Sequence, residues 1–106
     1  MGYNGGPMTE AMYYVLLALM NPNHGYQLMN DINEVSKGRI SMGPGTLYGV
    51  LTRMKKDKLI SLEEDDGRKK TYRITTLGEE ALRTEYRRLL ALVEDGIILK
   101  EGETIV

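Results

Sequence analysis

The segment that most constrains the fold is a helix whose start is marked by Gly43-Pro44. Proline is favoured at the first position of a helix, because its missing N–H would have no partner there. Apolar side chains then recur at helical spacing on one face, and polar, small or basic side chains take the opposite face. The apolar face holds Leu47, Val50, Leu51 and Met54, and the opposite face holds Thr46, Gly49, Thr52, Arg53 and Lys56. We expect this helix to bury one side in a core and to present the other to a binding partner.

Two further helices are predicted before this one. The first covers residues 9–20, with Thr9 as its N-cap and Asn21-Pro22 as its end. The second starts near His24-Gly25 and ends in residues 36–38. Its apolar residues again follow the helical repeat. Three helices in this order, the third with a basic face, match the helix-turn-helix arrangement.

A β-hairpin and a last helix are predicted after the third helix. Residues 59–63 and 70–75 alternate in polarity, and Asp65-Asp66-Gly67 between them has the composition of a hairpin turn. The last helix begins at Thr75 or Thr76, of which only Thr76 has Glu79 three residues later to close a capping box. The sequence therefore predicts a mainly α chain with a small β-hairpin (α+β), a winged helix-turn-helix followed by a C-terminal helix.

The net charge of −1 hides an uneven distribution. Residues 1–36 and 74–106 each carry −3, whereas residues 37–73 hold ten basic and five acidic side chains and carry +5. A positive field over one face attracts a polyanion even when the whole chain is slightly acidic. The alternative interpretation is that these charges are ordinary solvated surface.

Candidate DNA contacts lie on the third helix and on the hairpin tip. Thr46 and Tyr48 are near the helix N-terminus, where free N–H groups suit phosphate, and the next turns reach base edges. The hairpin tip adds three consecutive cations that suit a phosphate backbone or a minor groove. The alternatives are that Tyr48 packs into the core, that Arg53 is only solvated, and that the hairpin tip serves solubility. The acids at 63–66 would repel phosphate unless they are turned away from it. The predicted contacts are Thr46, Tyr48, Thr52, Arg53, Lys56, Arg68, Lys69 and Lys70.

The first helix is apolar nearly all round, so we expect it to be covered on one side by its own domain and on the other by a second subunit. The last helix carries a long apolar stripe that would join it in a homodimer interface. The residues predicted there are Val15, Leu16, Leu19, Leu82, Tyr86, Leu89, Leu90 and Val93. Tyr13, Tyr14 and Tyr86 either line a ligand cavity between these helices or are ordinary interface aromatics.

Composition argues against several other classes of protein. The chain has no cysteine and a single histidine, so one subunit builds neither a catalytic triad nor a multi-histidine metal site. We predict no enzymatic activity, no cofactor and no metal. The longest apolar stretch, residues 11–20, is about half of a bilayer span. A cytoplasmic protein without membrane association is therefore expected.

Several short motifs together resemble the PadR family of transcriptional regulators. They are His24-Gly25-Tyr26, Gly45-Thr46-Leu47-Tyr48, Leu59-Ile60, Tyr72-Arg73-Ile74-Thr75 and Gly78. The resemblance covers about residues 9–95 and is to the small subfamily, in which one C-terminal helix serves dimerisation. Two departures are the absence of the tryptophan that some small members place at the dimer pore, and Lys58 where a glycine usually ends the recognition helix.

The resemblance implies a homodimeric repressor that binds an inverted-repeat operator in double-stranded DNA. It also implies release by a small aromatic or lipophilic effector. Tyr26, Thr46 and Tyr48 match motif positions at or near the DNA backbone, and residues 67–70 match the basic wing. The expected division is a mobile tail over 1–8, a DNA-binding domain over 9–75, a dimerisation helix over 76–99 and a tail over 100–106. The competing hypotheses are a winged helix used only for protein contacts and a helix-turn-helix regulator of another family.

Overall fold

A computed structural model describes residues 5–101 of the chain. Three helices lead into a hairpin, and a long helix follows it, so the predicted mainly helical fold with a small antiparallel sheet is confirmed. The elements are α1 (Glu10–Ala18), β1 (Asn23–His24), α2 (Gly25–Val35), α3 (Pro44–Lys56), β2 (Ile60–Asp65), β3 (Lys70–Ile74), α4 (Thr76–Asp95) and α5 (Ile97–Glu101).

The helix starts follow the local sequence. Thr9 caps α1 by accepting a hydrogen bond from the N–H of Met12 at 3.1 Å. Pro44 takes the first position of α3 after Gly43, as expected. Of the two threonines proposed for α4, the structure selects Thr75, whose hydroxyl accepts from the N–H of Gly78 at 3.0 Å. The predicted capping box between Thr76 and Glu79 is wrong, because Thr76 is the first residue of α4 and not its N-cap.

The sheet has three strands in the order β1-β3-β2, all antiparallel. The predicted hairpin forms β2 and β3, in which Ile60 pairs with Ile74 and Leu62 with Tyr72. Strand β1 was not predicted, because two residues are too few to show an alternation of polarity. It pairs with β3 through Asn23 opposite Tyr72 and so holds the start of α2 against the hairpin.

The core lies where α1, α2, α3 and the sheet meet. Helix α3 contributes the apolar face that its periodicity predicts, with its basic face outside. The C-terminal end of α1 joins the sheet directly, since the C=O of Leu19 accepts from the N–H of Ile74 at 3.1 Å. The fully buried side chains are Val15, Leu16, Leu19, Leu28, Ile32, Leu47, Leu51, Met54, Leu59 and Ile60.

Helix α4 is fastened to the turn between α3 and β2. The hydroxyl of Thr75 donates to the C=O of Lys58 at 2.7 Å, and the N–H of Thr75 donates to the C=O of Leu59 at 3.0 Å. Lys58 has φ = 64°, the left-handed region, which explains why a glycine suits this position. Beyond this anchor, the helix expected over 76–99 is two helices, with Gly96 between α4 and α5.

The N-terminal segment is held against α4 at its last residue. The N–H of Met8 donates to Oε2 of Glu85 at 3.3 Å, and Glu85 is buried. Arg88 donates to the same carboxylate at 2.5 Å and 3.0 Å, and this pair holds the pKa of Glu85 below its usual value. Of the predicted tail over 1–8, Met8 is therefore attached to the domain, and residues 1–4 lie outside the described residues.

Candidate nucleic-acid interface

The outward face of α3 is the centre of the candidate interface. Leu47, Leu51 and Met54 point into the core, and the predicted contacts on this helix are all exposed. Arg53 keeps most of its side chain in solvent, and its Nε lies 3.6 Å from the buried carboxylate of Asp57 one turn later. This ion pair directs the guanidinium along the surface of α3. The face has the side chains needed for base edges and phosphates, and contact with DNA remains a prediction.

Tyr48 lies between α3 and the start of α2. Its hydroxyl end packs on Gly25, where a Cβ would lie only 2.7 Å from Cζ of the ring. Because 46% of Tyr48 remains exposed, the core position considered from the sequence is wrong. Tyr26 follows Gly25 and is 70% exposed. The two tyrosines predicted to lie near the DNA backbone are thus close to one helix start.

A cleft of about 340 Å³ separates α3 from β3 and collects basic side chains from both elements. Thr52 and Lys56 line it from α3, and Lys70 lines it from the hairpin. The structure therefore brings together three of the predicted contacts. Lys55 also lines the cleft and was not predicted, although its position three residues after Thr52 puts it on the same side of the helix.

Two acidic residues before the wing accept hydrogen bonds inside the hairpin turn. Asp66 accepts hydrogen bonds from the N–H groups of Lys69 at 2.7 Å and Arg68 at 3.1 Å, which lower the pKa of its carboxyl group. Asp65 accepts from the N–H of Gly67 at 2.9 Å, and Gly67 has φ = 91°. These carboxylates shape the turn that presents the wing cations, all of which are exposed.

A β-bulge in β2 places Glu63 on the face of the hairpin opposite the cleft. The register passes from Leu62 opposite Tyr72 to Glu64 opposite Thr71, so Glu63 is the extra residue. Glu63 pairs with Arg73 at 3.5 Å. Alternate residues of a strand point to opposite faces, and Tyr72 lines the cleft, so Arg73 and its partner Glu63 lie on the other face of the hairpin. Of the acids at 63–66, Glu63 is therefore turned away from the cleft, whereas Asp65 is paired in register with Lys70.

The dimer contacts expected on α1 need correction. Val15, Leu16 and Leu19 are 0% exposed within one chain and belong to its core, so they have no surface left for a second subunit. Leu82 is also largely buried. The rest of the α4 stripe stays available, since Tyr86, Leu90 and Val93 are exposed and Leu89 is half-buried.

A groove of about 220 Å³ lies between α1 and α4. Tyr13 and Leu17 line it from α1, Met20 lines it from the turn after α1, and Leu82 and Tyr86 line it from α4. Burial is the main reason that the pKa of the Tyr13 hydroxyl is raised, with further contributions from Tyr86 and Glu85. Two of the three tyrosines predicted to line a ligand cavity therefore meet in one apolar groove.

Tyr14, the third of those tyrosines, lies outside this groove. Its hydroxyl accepts a hydrogen bond from Arg39 at 3.0 Å, and its ring meets that of Tyr13 edge-on at 6.0 Å. Arg39 belongs to the turn between α2 and α3 and also lies 3.8 Å from Glu10. Tyr14 thus connects α1 to the helix-turn-helix. It also lines, with Tyr13 and with Glu85 and Leu89 of α4, a second cavity of about 180 Å³ between the two helices, so the tyrosines predicted to line a cavity there are divided between two cavities.

Within residues 5–101, no group of three or more His, Asp or Glu side chains is arranged to hold a metal ion. In the same part of the chain, no helix combines the length and apolar character needed to cross a membrane.

Comparisons with known proteins were consistent with this geometry. The family model described as transcriptional regulator PadR-like family matches residues 15–84. The chain is 31% identical over 75 residues to the transcriptional regulator YqjI of Escherichia coli, and 37% identical over 85 residues to an uncharacterized 37.1 kDa transposon protein of Streptomyces fradiae. These matches cover 71% and 79% of the chain but only 36% and 24% of the two relatives. A crystal structure of a PadR family regulator from Eggerthella lenta is 27% identical, with a TM-score of 0.73 over 87% of this chain and 82% of that one.

Proposed function

The chain belongs to the PadR-like family of transcriptional regulators, and we propose that it is a repressor that binds operator DNA as a homodimer. The operator is double-stranded DNA with an inverted repeat. Its half-sites lie about one helical turn apart, because a two-fold dimer places its recognition helices about 34–36 Å apart. This family consists of regulators rather than enzymes, and the proposed activity is binding alone.

The observation that supports DNA binding is the arrangement of the cations around the α3–β3 cleft. Lys55, Lys56 and Lys70 line the cleft, and Glu63 is paired with Arg73 on the opposite face of the hairpin. A surface on which exposed cations from two elements converge suits the phosphate backbone. The exposed side chains of α3 beside it then read base edges in the major groove.

Fluorescence anisotropy with labelled DNA from upstream of the protein's own gene tests this proposal. The titration is run at two salt concentrations and compared with a scrambled duplex. We expect tight, salt-sensitive binding that prefers the native duplex. Weak binding that is equal on native, scrambled and randomly selected duplexes would instead indicate a winged helix used for protein contacts.

The role of the wing is tested with the double variant Arg68→Ala/Lys69→Ala. Each lost phosphate contact lowers the slope of log K against log salt by about 0.9, so the double variant loses close to two per subunit. Arg87→Ala is the control for a cation on α4, outside the proposed interface and exposed. An unchanged slope in the double variant would show that the wing does not touch phosphate.

The homodimer is proposed to form through the exposed stripe of α4. Tyr86, Leu90 and Val93 are large apolar side chains in solvent on a single chain, and a second copy that covers them removes this exposure. Sedimentation at micromolar concentration should show a dimer, and Leu90→Asp should give a monomer that binds DNA more weakly. A monomeric wild-type protein would contradict this part of the proposal.

The proposed effector is a small aromatic or lipophilic molecule that binds in the groove between α1 and α4. The groove is lined by Tyr13, Leu17 and Tyr86, and it lies next to the stripe that sets the spacing of the two subunits. An effector that prefers one spacing weakens DNA binding by its differential affinity for the two states. Leu17→Trp, which fills the groove, should keep DNA binding and abolish the response to an effector found in an anisotropy screen.

A further inference from the structure

A buried glycine at the start of α2 lies against a tyrosine of the candidate interface. Gly25 is the first residue of α2, and a Cβ at this position would meet the hydroxyl oxygen of Tyr48 and lie 2.7 Å from Cζ of its ring. The φ of Gly25 is not positive, so the backbone conformation does not by itself require glycine. The contact with Tyr48 is therefore the feature that a side chain at this position would disturb.

The backbone before Gly25 is held in place by strand β1. Asn23 pairs with Tyr72 of β3, and its side-chain amide donates to Oδ2 of Asp31 in α2 at 2.8 Å. The ring of Tyr48, in contrast, is 46% exposed and has solvent to move into. We expect a side chain added at residue 25 to displace the ring of Tyr48 rather than the start of α2.

The hydroxyl group of Tyr48 is available to a molecule outside the chain. Within residues 5–101 it has no hydrogen-bond partner. A tyrosine hydroxyl can donate to a phosphate oxygen, and tyrosine is one of the side chains that contact the DNA backbone. The cations of the cleft are close by in the fold, because His24 pairs with Thr71, the neighbour of Lys70.

We infer that Gly25 is a positioning residue for DNA binding: by leaving room for the ring of Tyr48, it holds the hydroxyl where it donates to a phosphate of the DNA backbone. This inference rests on the proposed binding of DNA. A neutral hydroxyl adds a hydrogen bond to the phosphate without releasing a counterion. Its contribution therefore differs measurably from that of the wing cations.

Two single variants test the inference in the anisotropy titration. Tyr48→Phe removes the hydroxyl, and Gly25→Ala keeps the hydroxyl but displaces it. Each variant should bind operator DNA on the order of 10-fold more weakly, because both lose a hydrogen bond to a charged group. The slope of log K against log salt should stay as in the wild type, and the scrambled duplex should lose the same factor, because a phosphate contact carries no sequence information.

The double variant Gly25→Ala/Tyr48→Phe separates positioning from any other effect of the alanine. Both changes remove the same contact, so the double variant should bind within about 2-fold of Tyr48→Phe. Losses that multiply to about 100-fold would overturn the inference. The matched control is Arg68→Ala/Tyr48→Phe, in which the two losses should multiply because the wing contact is a separate one.

Thermal unfolding followed by circular dichroism accompanies the titrations. Gly25→Ala should fold and melt close to the wild type, since the end of an exposed ring yields to the new methyl group; a variant that does not fold would contradict this and count against the inference. A wild-type protein that binds DNA tightly, with either single variant within about 2-fold of it, would overturn the inference and leave the proposed function in place. Equally weak binding of the wild type to native, scrambled and randomly selected duplexes would overturn both.

Discussion

Gly78 offers a strong test of how α4 is joined to the rest of the domain. Although it lies in the first turn of a helix, where alanine is normally better, a Cβ at this position would run into the carbonyl oxygen of Leu59. It would also lie 2.9 Å from Cγ1 of Ile74. The carbonyl of Leu59 is held in place because it accepts the N–H of Thr75 at 3.0 Å. The backbone therefore cannot move away without breaking that hydrogen bond.

The size of the effect follows from three contributions. Replacing glycine by alanine in a helix ordinarily stabilises by about 1 kcal/mol. Overpacking a filled site costs about 1–3 kcal/mol, and loss of the hydrogen bond from Thr75 to Leu59 costs a further ~0.5–1.5 kcal/mol. We expect Gly78→Ala to lower the free energy of unfolding by about 1–3 kcal/mol. Gly49→Ala, in α3 with open space around its Cβ position, should raise it by about 1 kcal/mol.

Urea unfolding followed by far-ultraviolet circular dichroism measures both variants. All samples are compared at one protein concentration, because a dimer gains apparent stability with concentration. A difference of about 2–4 kcal/mol between the two variants is expected, with unchanged m-values. A Gly78→Ala variant as stable as the wild type or Gly49→Ala would refute the proposed close packing of α4 on the Leu59 carbonyl.

Three further predictions concern the same junction and the buried carboxylate of α4. Lys58→Gly should raise the free energy of unfolding by about 1 kcal/mol, since the φ of 64° is strained for lysine, whereas Lys55→Gly inside α3 should lower it by a similar amount; urea unfolding checks both. Thr75→Val loses the cap on Gly78 and the bond to the Lys58 carbonyl, and should lower the melting temperature by an amount that corresponds to about 1–2 kcal/mol; an unchanged value would contradict the capping role. The pKa of Glu85 is lowered by its hydrogen bonds from Arg88, so its contribution to stability is present above its ordinary pKa of 4.5 and is lost as the pH falls through the lower folded value. The free energy of unfolding, measured between pH 3 and pH 7, should therefore depend less on pH in Glu85→Gln than in the wild type. Identical pH profiles of the two proteins would refute this.

Local signals in the sequence predicted the elements that carry the candidate interface. Gly43-Pro44 fixed the start of α3, and its 3.6-residue periodicity separated the buried face from the exposed one, as the structure confirms. The turn residues likewise identified the hairpin, because Gly67 adopts a positive φ and both aspartates bond to turn N–H groups. In each case the residues that decide the structure are neighbours in the chain.

Features that depend on contacts distant in sequence were missed. Strand β1 forms only because Asn23 and His24 pair with β3, and neither residue by itself predicts a strand. Lys55 joins the candidate interface because the hairpin folds beside α3. The β-bulge that places Glu63 beside Arg73 is likewise set by pairing between two strands. The sequence showed the acids but not the face on which they lie.

The misassignment of α1 has a physical reason that bears on function. A helix that is apolar all round shows no periodicity, so the pattern cannot tell a core-facing residue from an interface-facing one. The structure divides it, with Val15, Leu16 and Leu19 in the core and Leu17 and Met20 in the groove beside α4. One helix thus has one face in the DNA-binding domain and another at the groove proposed for the effector.

Helix α1 and its C-cap Leu19 are also hydrogen-bonded to elements that carry the candidate interface. The C=O of Leu19 accepts from the N–H of Ile74 at the base of the wing, and the hydroxyl of Tyr14 accepts from Arg39 in the turn before α3. A molecule that pushed α1 away from α4 would therefore have to move the wing and the α2–α3 turn with it, or break these two bonds. In the proposed homodimer, movement of the wing or of the α2–α3 turn would change the position of the DNA-contacting elements relative to the two-fold axis, whereas the half-sites of the proposed operator are fixed in spacing. This connection supports the proposal that a molecule bound in the groove, which none of the cleft cations lines, would affect binding of DNA.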